Sequence, residues 1–381
     1  MKKVIFYILF FYSSWIKAQI SYKDFSIELI KQASINHVFD NKSCSIFEKE
    51  LEILSEDSAK TFFLKKSKII FLEMKYGHKP NYLQFESLKE EINENAIDSL
   101  IESITNPNQI KKVFQNIESK HPEYHFFKQA ISTDSLYNIL KDNLNFYRYL
   151  NRFNFIKYIV VNIPNAKLTA YNQDQKVLEM NIIVGQKDKQ TPRMTTYLDA
   201  IVVYPYWIPT RSIAINEILP KVKKNIKYLE RNNFDVLDSK KNLVDPGTLK
   251  WASFSAKNFP YQFRQGTGCD NSLGLLKFNI SNPFSVYMHD TAHNKHSMLL
   301  FENENRFFSH GCIRLSMPVE LANWAFEKPL INEEFMNTCL KDPKSTTIKL
   351  NKKIPLFVIY NTSQIDANGD IVTYKDVYGL K

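Results

Sequence analysis

The distribution of glycine and proline constrains the fold of this 381-residue chain more than any other feature. Of the nine glycines, only Gly77 lies in the first 150 residues, together with three of the fifteen prolines. Both residue types mark turns between short elements. The first part is therefore predicted to consist of long helices and the second mostly of strands. The length allows one large domain or two ordinary ones.

Three segments of the first part have the apolar spacing of amphipathic helices. Between Phe62 and Met74, apolar side chains recur at helical intervals, and Gly77 is a suitable C-terminal stop. Residues 85–104 and 134–150 show the same periodicity. We interpret these stripes as packed faces of a helix bundle rather than as a binding surface, because amphipathicity alone requires no function.

From Tyr158 onward the sequence consists of short β-branched or alternating runs separated by polar turns. The predicted strands are KYIVVNI, KLTAYN, KVLEMNIIVG, AIVVYP, FSVYMH, SMLLFE and PLFVIY. The longest interval with few strand signals runs from Thr210 to Arg264 and contains one helical pattern. A long excursion from a β scaffold is typical of a lid or a binding loop, so we predict one here.

The N-terminus has the order of a secretory signal peptide. It contains the positive Lys2 and Lys3, an apolar run from Val4 to Trp15, and Ala18 as a cleavage position. The apolar run is shorter than the roughly 20 residues that a transmembrane span needs. We expect cleavage after Ala18, which would leave a soluble protein outside the cytoplasm; an uncleaved anchor is the alternative.

Charge and cysteine content restrict the function less. The formal net charge of +10 suits an anionic polymer or membrane headgroups, but it is also common in exported proteins without such a partner. No segment resembles a nucleic-acid motif, so no nucleic-acid partner is predicted. The cysteines are Cys44, Cys269, Cys312 and Cys339. They permit two disulfides, yet four are too few for a disulfide framework in a chain of this length.

Cys312 lies in the segment FFSHGCIRL, where three interpretations compete. The first is a zinc site with nearby histidines, namely His289, His293, His296 and His310. The spacing of the first two fits a helical zinc motif, but Asp290 replaces the Glu that this motif requires. The second is a structural disulfide with Cys269 or Cys339, although a cystine needs no flanking His, Gly or Arg.

The third interpretation makes Cys312 a nucleophile, whose thiolate a neighbouring imidazole would generate. His289 lies 23 residues earlier, at the end of a predicted strand, and two neighbouring strands would bring it to Cys312. Gly311 would admit a carbonyl substrate to the backbone, and the amides of Gly311 and Cys312 would bind the developing oxyanion. Arg314 offers a fork for a carboxylate. The residues alone leave the three interpretations open.

The pattern around Cys312 resembles that of the L,D-transpeptidase catalytic domain, the YkuD-type fold. That family has a histidine, a variable gap, then Ser or Thr, His, Gly, Cys, an apolar residue and Arg or Asn. The matching residues of this chain are His289, Ser309, His310, Gly311, Cys312, Ile313 and Arg314.

Flanking segments resemble the large murein transpeptidase branch of that family. They are YMHDT, NSLGLLKFNISNPF, VNIPNAKLTAY, IIVGQKDKQTP, YPYWIPTRSIA, MPVELANWAF and IPLFVIYNT. HPEYHFFKQAI and LNFYRYLNRF are similar to scaffold segments of the same branch. Relatives often carry a peptidoglycan-binding repeat between those two pieces. Only ISTDSLYNILKDN lies there in this chain, so we expect no such repeat.

The resemblance implies an α+β fold, with an N-terminal α-helical scaffold followed by a mixed, β-sandwich-like catalytic domain with an inserted lid. The predicted boundaries are 1–18 for the signal peptide, 19–150 for the scaffold, 151–381 for the catalytic domain and about 210–264 for the lid. It also places the exported protein in the periplasm or cell envelope, with anchoring by an uncleaved leader as the alternative.

The resemblance further implies a two-step exchange on peptidoglycan stem peptides. His289 takes the proton from Cys312, the thiolate attacks the carbonyl of the third stem residue, and the terminal D-alanine leaves. The amine of a second stem then attacks the thioester, which cross-links two third-position residues. No metal or organic cofactor is expected, and carbapenem-type inhibitors are expected to acylate Cys312.

The other site residues also follow from the resemblance. The backbone carbonyl of Asp290 is expected to orient His289, and His310 to shape the pocket. Substrate binding is assigned to Arg314, Ser309, Tyr287 and Trp207. Ordinary core packing is the alternative for Trp207.

Two other functions compete with transpeptidation. With water as acceptor, the same thioester would give an L,D-carboxypeptidase or a hydrolase that releases wall-tethered proteins. A non-enzymatic wall-binding module ranks last, because it predicts loss of His289 or Cys312 and both are present. The acceptor, the pairing of Cys269 with Cys339 and the oligomeric state stay open.

Overall fold

The computed structural model describes residues 21–329, 331, 332, 334, 335, 343–366 and 368–380. The predicted signal peptide and Cys339 lie outside these residues. The helices before residue 150 are α1 (Tyr22–Ile35), α2 (Asn41–Glu52), α3 (Glu56–Tyr76), α4 (Glu94–Glu102), α5 (Asn108–Ile117), α6 (Pro122–Ala130) and α7 (Asp134–Tyr149). Within the described ranges, no helix combines the length and apolar character that crossing a membrane requires.

Local sequence sets both ends of helix α3. The Ser55 hydroxyl accepts a hydrogen bond from the Ser58 amide at 3.3 Å, which satisfies one of the free amides of the first turn. Glu56 and Asp57 lie in the same turn, where the helix dipole stabilises carboxylates. Gly77 ends the helix with a φ of 56°, so the predicted stop is confirmed.

The apolar stripes of these helices pack into a shared core, as the sequence predicted. Phe71 of α3 and Phe114 of α5 meet edge to face, with ring centroids 5.5 Å apart. The helix predicted over 85–104 is wrong in its first half. Phe85 and Glu86 form a short strand, and α4 begins only at Glu94, where the Asn93 side chain accepts from the Ala96 amide.

The second part of the chain carries most of the strands. The strands of the described residues are β1 (Phe85–Glu86), β2 (Lys157–Asn162), β3 (Lys167–Asn172), β4 (Gln175–Gly185), β5 (Met194–Val203), β6 (Phe234–Leu237), β7 (Gln262–Gln265), β8 (Leu276–Ile280), β9 (Met288–His289), β10 (Phe307–Ser309), β11 (Ile313–Leu315), β12 (Thr346–Ile359), β13 (Ser363–Ile365) and β14 (Ile371–Thr373). The helices among them are α8 (Arg211–Ile213), α9 (Leu219–Lys224), α10 (Lys227–Arg231), α11 (Lys295–Leu299) and α12 (Pro318–Phe326).

Eight of these strands close into one mixed sheet in the order β5, β12, β2, β3, β4, β11, β9 and β8. Strand β8 pairs back onto β5, which completes the closure. The pairs β12–β2 and β11–β9 are parallel, whereas β2–β3 and β3–β4 are antiparallel. The α+β class and the mixed sheet expected from the sequence are therefore confirmed.

Alternation along the strands separates an inner and an outer face of this sheet. On β8, Leu276 and Phe278 lie in the core inside the closed sheet, and Met288 of β9 and Ile313 of β11 join them. The residues between these positions point to the outer face, because successive side chains of a strand alternate. The candidate site lies on that outer face.

The predicted lid forms a layer with its own apolar core. Its base is fixed where the chain enters and leaves: the amide and carbonyl of Trp207 bond to the carbonyl and amide of Gln265 at 3.2 and 2.7 Å. Trp251 stacks on Phe263 inside the layer, with centroids 6.3 Å apart. The antiparallel pair β6–β7 also belongs to the lid and was not among the predicted strands.

Two of the predicted strands are wrong or shortened. The segment SMLLFE belongs mainly to helix α11 and the 3₁₀ turn after it, because the Asn294 side chain caps the Ser297 amide at 2.9 Å. In FSVYMH only Met288 and His289 are strand. The boundary at residue 150 stays a prediction, and β1 of the predicted scaffold pairs with β5 of the sheet.

Candidate active site

Strand register places a cation on each side of His289. His289 of β9 lies opposite Lys277 of β8 and opposite Arg314 of β11. Since cross-strand partners share a face, the three side chains form a row on the outer face of the sheet. Cys312 immediately precedes β11, and its sulfur lies within electrostatic range of both cations.

The loop that carries Cys312 is fixed by hydrogen bonds from its own residues and from Thr191. Gly311 has a φ of 112°, which residues with a Cβ rarely adopt. Its carbonyl accepts from the Thr191 hydroxyl at 2.9 Å. The Ser309 hydroxyl accepts from the Gly311 amide at 3.1 Å and donates to the Cys312 carbonyl at 2.5 Å. Ser309 therefore holds the loop in its conformation, and its substrate-binding role stays a prediction.

The same contacts bear on the oxyanion site that the sequence predicted at Gly311. Because the Gly311 amide donates to Ser309, it would have to leave that partner to meet a substrate oxygen. The Cys312 amide has no hydrogen-bond partner in the described part of the chain. The geometry thus favours the Cys312 amide as an oxyanion donor, and the assignment to Gly311 stays a prediction.

His289 is buried and oriented as a base. Its Nδ1 atom lies 2.5 Å from the carbonyl oxygen of Asp290, which can only accept, so Nδ1 carries the proton and Nε2 the lone pair. Burial lowers the pKa of His289 to about 3, with a further contribution from Arg314 and a smaller one from Lys277. The imidazole is therefore neutral at physiological pH.

Cys312 is a thiol in the resting site. Burial raises its pKa, and this effect outweighs the stabilisation of the thiolate by the backbone and hydroxyl of Tyr287 and by Lys277 and Arg314. No hydrogen bond joins its sulfur to the His289 ring in the described residues. Catalytic hydrogen bonds often form only in the substrate complex. The lack of a hydrogen bond between Cys312 and His289 is therefore compatible with proton transfer between them.

The carboxylate of Asp290 holds the segment around His289 in place. It accepts from the Leu275 amide at 2.9 Å and lies 2.7 Å from Nε2 of His293. Gly274 is required beside it, since a Cβ there would lie 2.3 Å from the carboxylate oxygen. The expectation that Asp290 offers His289 its carbonyl is confirmed.

The lid supplies one wall of the site. Tyr287 is partly buried, and its hydroxyl interacts both with Trp207 and with Cys312. The structure thus brings together these three residues, while Trp207 also packs against Phe234 of the lid core, with centroids 6.0 Å apart. Its substrate-binding role stays a prediction.

His310 faces the lid at the rim of the site. Its Nε2 atom lies 2.6 Å from Glu217, which belongs to the π-helical turn Ala214–Ile218. The ammonium of Lys189 approaches the same carboxylate oxygen at 3.7 Å. His310 therefore connects the loop that carries Cys312 to the lid.

Sequence reasoning missed Lys277 and Glu217. Lys277 is an isolated lysine in an alternating strand, and only the register of β8 against β9 places it beside His289. Glu217 lies in a predicted helix without a motif. A helical prediction gives no sign that one glutamate reaches across to His310.

The other two interpretations of Cys312 find no support in the described residues. Cys312 is a free thiol, so its assignment to a disulfide is wrong. Cys269 is disulfide-bonded, and its possible partner Cys339 lies outside the described residues. No group of three His, Cys, Asp or Glu side chains in the described part could hold a metal ion.

A cavity of about 630 Å³ lies elsewhere on the sheet. Its walls include Phe155, Tyr197 and the β12 segment from Ile348 to Pro355. None of its lining residues belongs to the row around His289. The chemistry of the side chains, and not cavity size, identifies the candidate active site.

Comparison with known proteins agrees with this site. Residues 156–331 match the YkuD family model, described as the L,D-transpeptidase catalytic domain. This part of the chain is therefore similar to the L,D-transpeptidase catalytic domain of the YkuD family. A Haemophilus influenzae protein named "Putative L,D-transpeptidase" is 34% identical over 271 residues, which are 69% of this chain and 54% of that protein. The chain thus spans about half the length of this relative.

Solved structures with similarity to the chain are also L,D-transpeptidases. The enzyme from Mycobacterium smegmatis is 14% identical, with 54% of this chain and 58% of that chain covered and a TM-score of 0.23. The catalytic domain of the E. faecium enzyme, acylated by ertapenem, is 12% identical, with 54% and 99% covered and a TM-score of 0.23.

Proposed function

We propose that the protein is a peptidoglycan L,D-transpeptidase, with Cys312 as nucleophile and His289 as the group that carries protons. The observation that carries this proposal is the neutral imidazole of His289. Its Nδ1 is bound to the Asp290 carbonyl, and it lies on the strand next to the Cys312 loop. A neutral, oriented imidazole beside a thiol is the arrangement that activates a cysteine for acyl transfer.

The first half-reaction acylates the enzyme. Nε2 of His289 takes the thiol proton while the sulfur of Cys312 bonds to the carbonyl carbon of the third stem residue. The Cys312 amide faces the developing oxyanion. When the intermediate collapses, the bond to the terminal D-alanine breaks, and His289 returns the proton to the departing amine.

The second half-reaction transfers the acyl group. The side-chain amine of a second stem attacks the thioester carbon, and His289 takes a proton from that amine. The carbon–sulfur bond then breaks, and Cys312 recovers its proton from the imidazole. One amide bond is broken and one is formed, so the exchange needs no external energy source.

The lid fits a reaction that must exclude water. A thioester open to solvent would hydrolyse, and closure of a site removes water from the reacting groups. The lid reaches the site through Trp207 and through Glu217, which contacts His310. The same attack on a strained cyclic amide would acylate Cys312 with a carbapenem.

The proposal includes an extracytoplasmic location. Peptidoglycan lies outside the cytoplasmic membrane, so the stem peptides meet only an exported enzyme. The apolar segment between Lys3 and Ala18 supports export as a signal peptide, with an uncleaved anchor as the alternative.

Mass spectrometry of the products tests this function. Purified protein from residue 19 onward is incubated with a disaccharide-tetrapeptide, in parallel with the Cys312→Ala variant. A cross-linked dimer that has lost one D-alanine, formed only by the unaltered protein, would support transpeptidation. Tripeptide without dimer would indicate a hydrolase, and unchanged tetrapeptide in both samples would contradict the proposal.

A further inference from the structure

We propose that Lys277 and Arg314 form a two-point cationic site that binds two carboxylates of the donor stem, one on each side of His289. This inference rests on the proposed function and extends it to a substrate class. The donor would be a stem whose third residue carries a free side-chain carboxylate in addition to the terminal carboxylate of the fourth residue.

The first argument is the position of the two cations. Both are cross-strand partners of His289, on β8 and on β11. Neighbouring strands lie about 4.8 Å apart, so the backbones of Lys277 and Arg314 are separated by roughly 10 Å. Anions bound at the two ends of this row would therefore span the reacting centre.

The second argument is that both cations lack an acidic partner. Among the described residues, no carboxylate contributes to the environment of Lys277 or Arg314, and Nε of Arg314 is buried without a hydrogen-bond partner. The ammonium of Lys277 lies over the Tyr287 ring, 4.4 Å from its centroid. The carboxylate of Asp290 is bound to Leu275 and His293.

Charges without a partner are costly even where they are only partly buried, and desolvation accordingly lowers the pKa of both groups. Two such charges on one face beside a nucleophile indicate a site that an anionic ligand completes. Structural ion pairs elsewhere in the molecule are made within the protein, such as Lys167 with Glu179 at 2.6 Å.

The separation of each cation from Cys312 indicates which carboxylate of the stem it would bind. Arg314 is two residues from Cys312, so its fork suits the terminal carboxylate, which belongs to the residue next to the reacting carbonyl. Lys277 lies two strands away, beyond His289. A carboxylate at the end of the third residue's side chain would reach that distance.

Binding would also prepare His289 for catalysis. Arg314 and Lys277 both lower the pKa of His289. Two carboxylates would offset that positive potential and strengthen the imidazole as a base for the thiol proton. A stem without the second carboxylate would leave the positive charge of Lys277 without a partner.

The test compares two tetrapeptide donors that differ only at the third residue, which is diaminopimelate with its side-chain carboxyl either free or converted to a carboxamide. The measured quantity is the ratio of kcat/KM for the two donors. We expect unaltered protein to prefer the free carboxylate by at least about tenfold, the size of one hydrogen bond to a charged group. In Lys277→Met this ratio falls below about twofold, and in Lys277→Arg part of it is restored.

Lys353→Met is the matched control. Lys353 also lies over a tyrosine ring, 5.9 Å from the centroid of Tyr197, but on β12, which β5 separates from β8. This variant should keep the ratio of the unaltered protein. Thermal unfolding of every variant verifies the fold.

Three results would overturn the inference. A ratio near one in the unaltered protein would exclude recognition of the second carboxylate. Equal losses on both donors in Lys277→Met would assign Lys277 to the thiol or to folding. If the unaltered protein turns over neither donor, the proposed function itself fails, whereas turnover of both at equal rates refutes only this inference.

Discussion

Two buried histidines of this molecule differ in their hydrogen bonding: the ring of one has partners at both nitrogens, and the ring of the other has a partner at one. His121, where the predicted scaffold meets the sheet, has both ring nitrogens occupied: Nδ1 accepts from the Glu123 amide at 3.2 Å, and Nε2 lies 3.1 Å from the Tyr158 hydroxyl. At His289 only Nδ1 has a partner among the described residues. Burial lowers the pKa of both.

The polar groups around the two imidazole rings also differ in how completely they are paired. Around His121 the polar groups are paired: Tyr158 donates to Asp174 at 2.8 Å, and Tyr147 and Tyr171 both donate to Glu123. Around His289 the two cations have no carboxylate partner in the part of the chain that the structure describes. The comparison teaches that burial and a perturbed pKa alone do not mark a catalytic group. An incomplete set of partners distinguishes the active site.

The largest expected difference between the two clusters is the loss of activity when each imidazole is replaced. His289→Gln should lower the rate of acyl transfer by about 10³-fold, because Gln cannot carry the proton between Cys312 and the amines. His121→Gln should leave the rate within about twofold. Turnover of a tetrapeptide donor measures both, and similar losses in the two variants would contradict the distinction.

The paired cluster should matter for stability. Glu123→Ala leaves the hydroxyls of Tyr147 and Tyr171 without their acceptor, which should lower the free energy of unfolding by about 2–4 kcal/mol. Glu230→Ala, at an exposed lid position, is the control and should change it by less than about 0.5 kcal/mol. Denaturant unfolding provides the measurement. Equal stability of the two variants would mean that the cluster is not needed for folding.

Acid should destabilise the protein through His289. Its pKa is about 3 in the folded state against an ordinary value of 6.5, so the unfolded chain binds a proton first as the pH falls. The stability is fully present above about pH 6.5 and is lost progressively towards pH 3, with about 2 kcal/mol lost between pH 7 and pH 5. His289→Gln should reduce this slope in unfolding experiments at both pH values. An unchanged slope would show that His289 is not buried in its neutral form.

Loss of the contact between the lid and the loop that carries Cys312 should have the smallest effect on activity. Glu217→Gln removes the charge that faces His310 and Lys189, and exposed ion pairs contribute about 0–1 kcal/mol. KM for the donor should rise by no more than about threefold. Glu230→Gln, also in the lid, should leave it unchanged. A large loss of kcat in Glu217→Gln would instead give this carboxylate a part in the chemistry.

The elements and the position of the candidate nucleophile could be predicted from the sequence where the signal is local. Helix α3 ends at Gly77 as the periodicity indicated, and the residues around Cys312 matched a family pattern. The failures have local causes as well. SMLLFE is apolar enough for a strand, yet the Asn294 cap starts a helix there.

The rest of the site depends on register and on contacts across the lid. Lys277 is 12 residues from His289 in the chain and becomes its neighbour only through the pairing of β8 with β9. The internal bond between Ser309 and the Gly311 amide follows from the loop conformation, which a motif does not specify. The contact of Glu217 with His310 spans 93 residues.

The central claim is that Cys312 forms a thioester with the donor stem. Intact-protein mass spectrometry after acid quench, followed by peptide mapping, tests it most directly. The account predicts an added mass equal to the tetrapeptide donor minus D-alanine, located on the peptide that contains Cys312 and absent from Cys312→Ala. An adduct on another residue, or product formation by Cys312→Ala, would contradict the account.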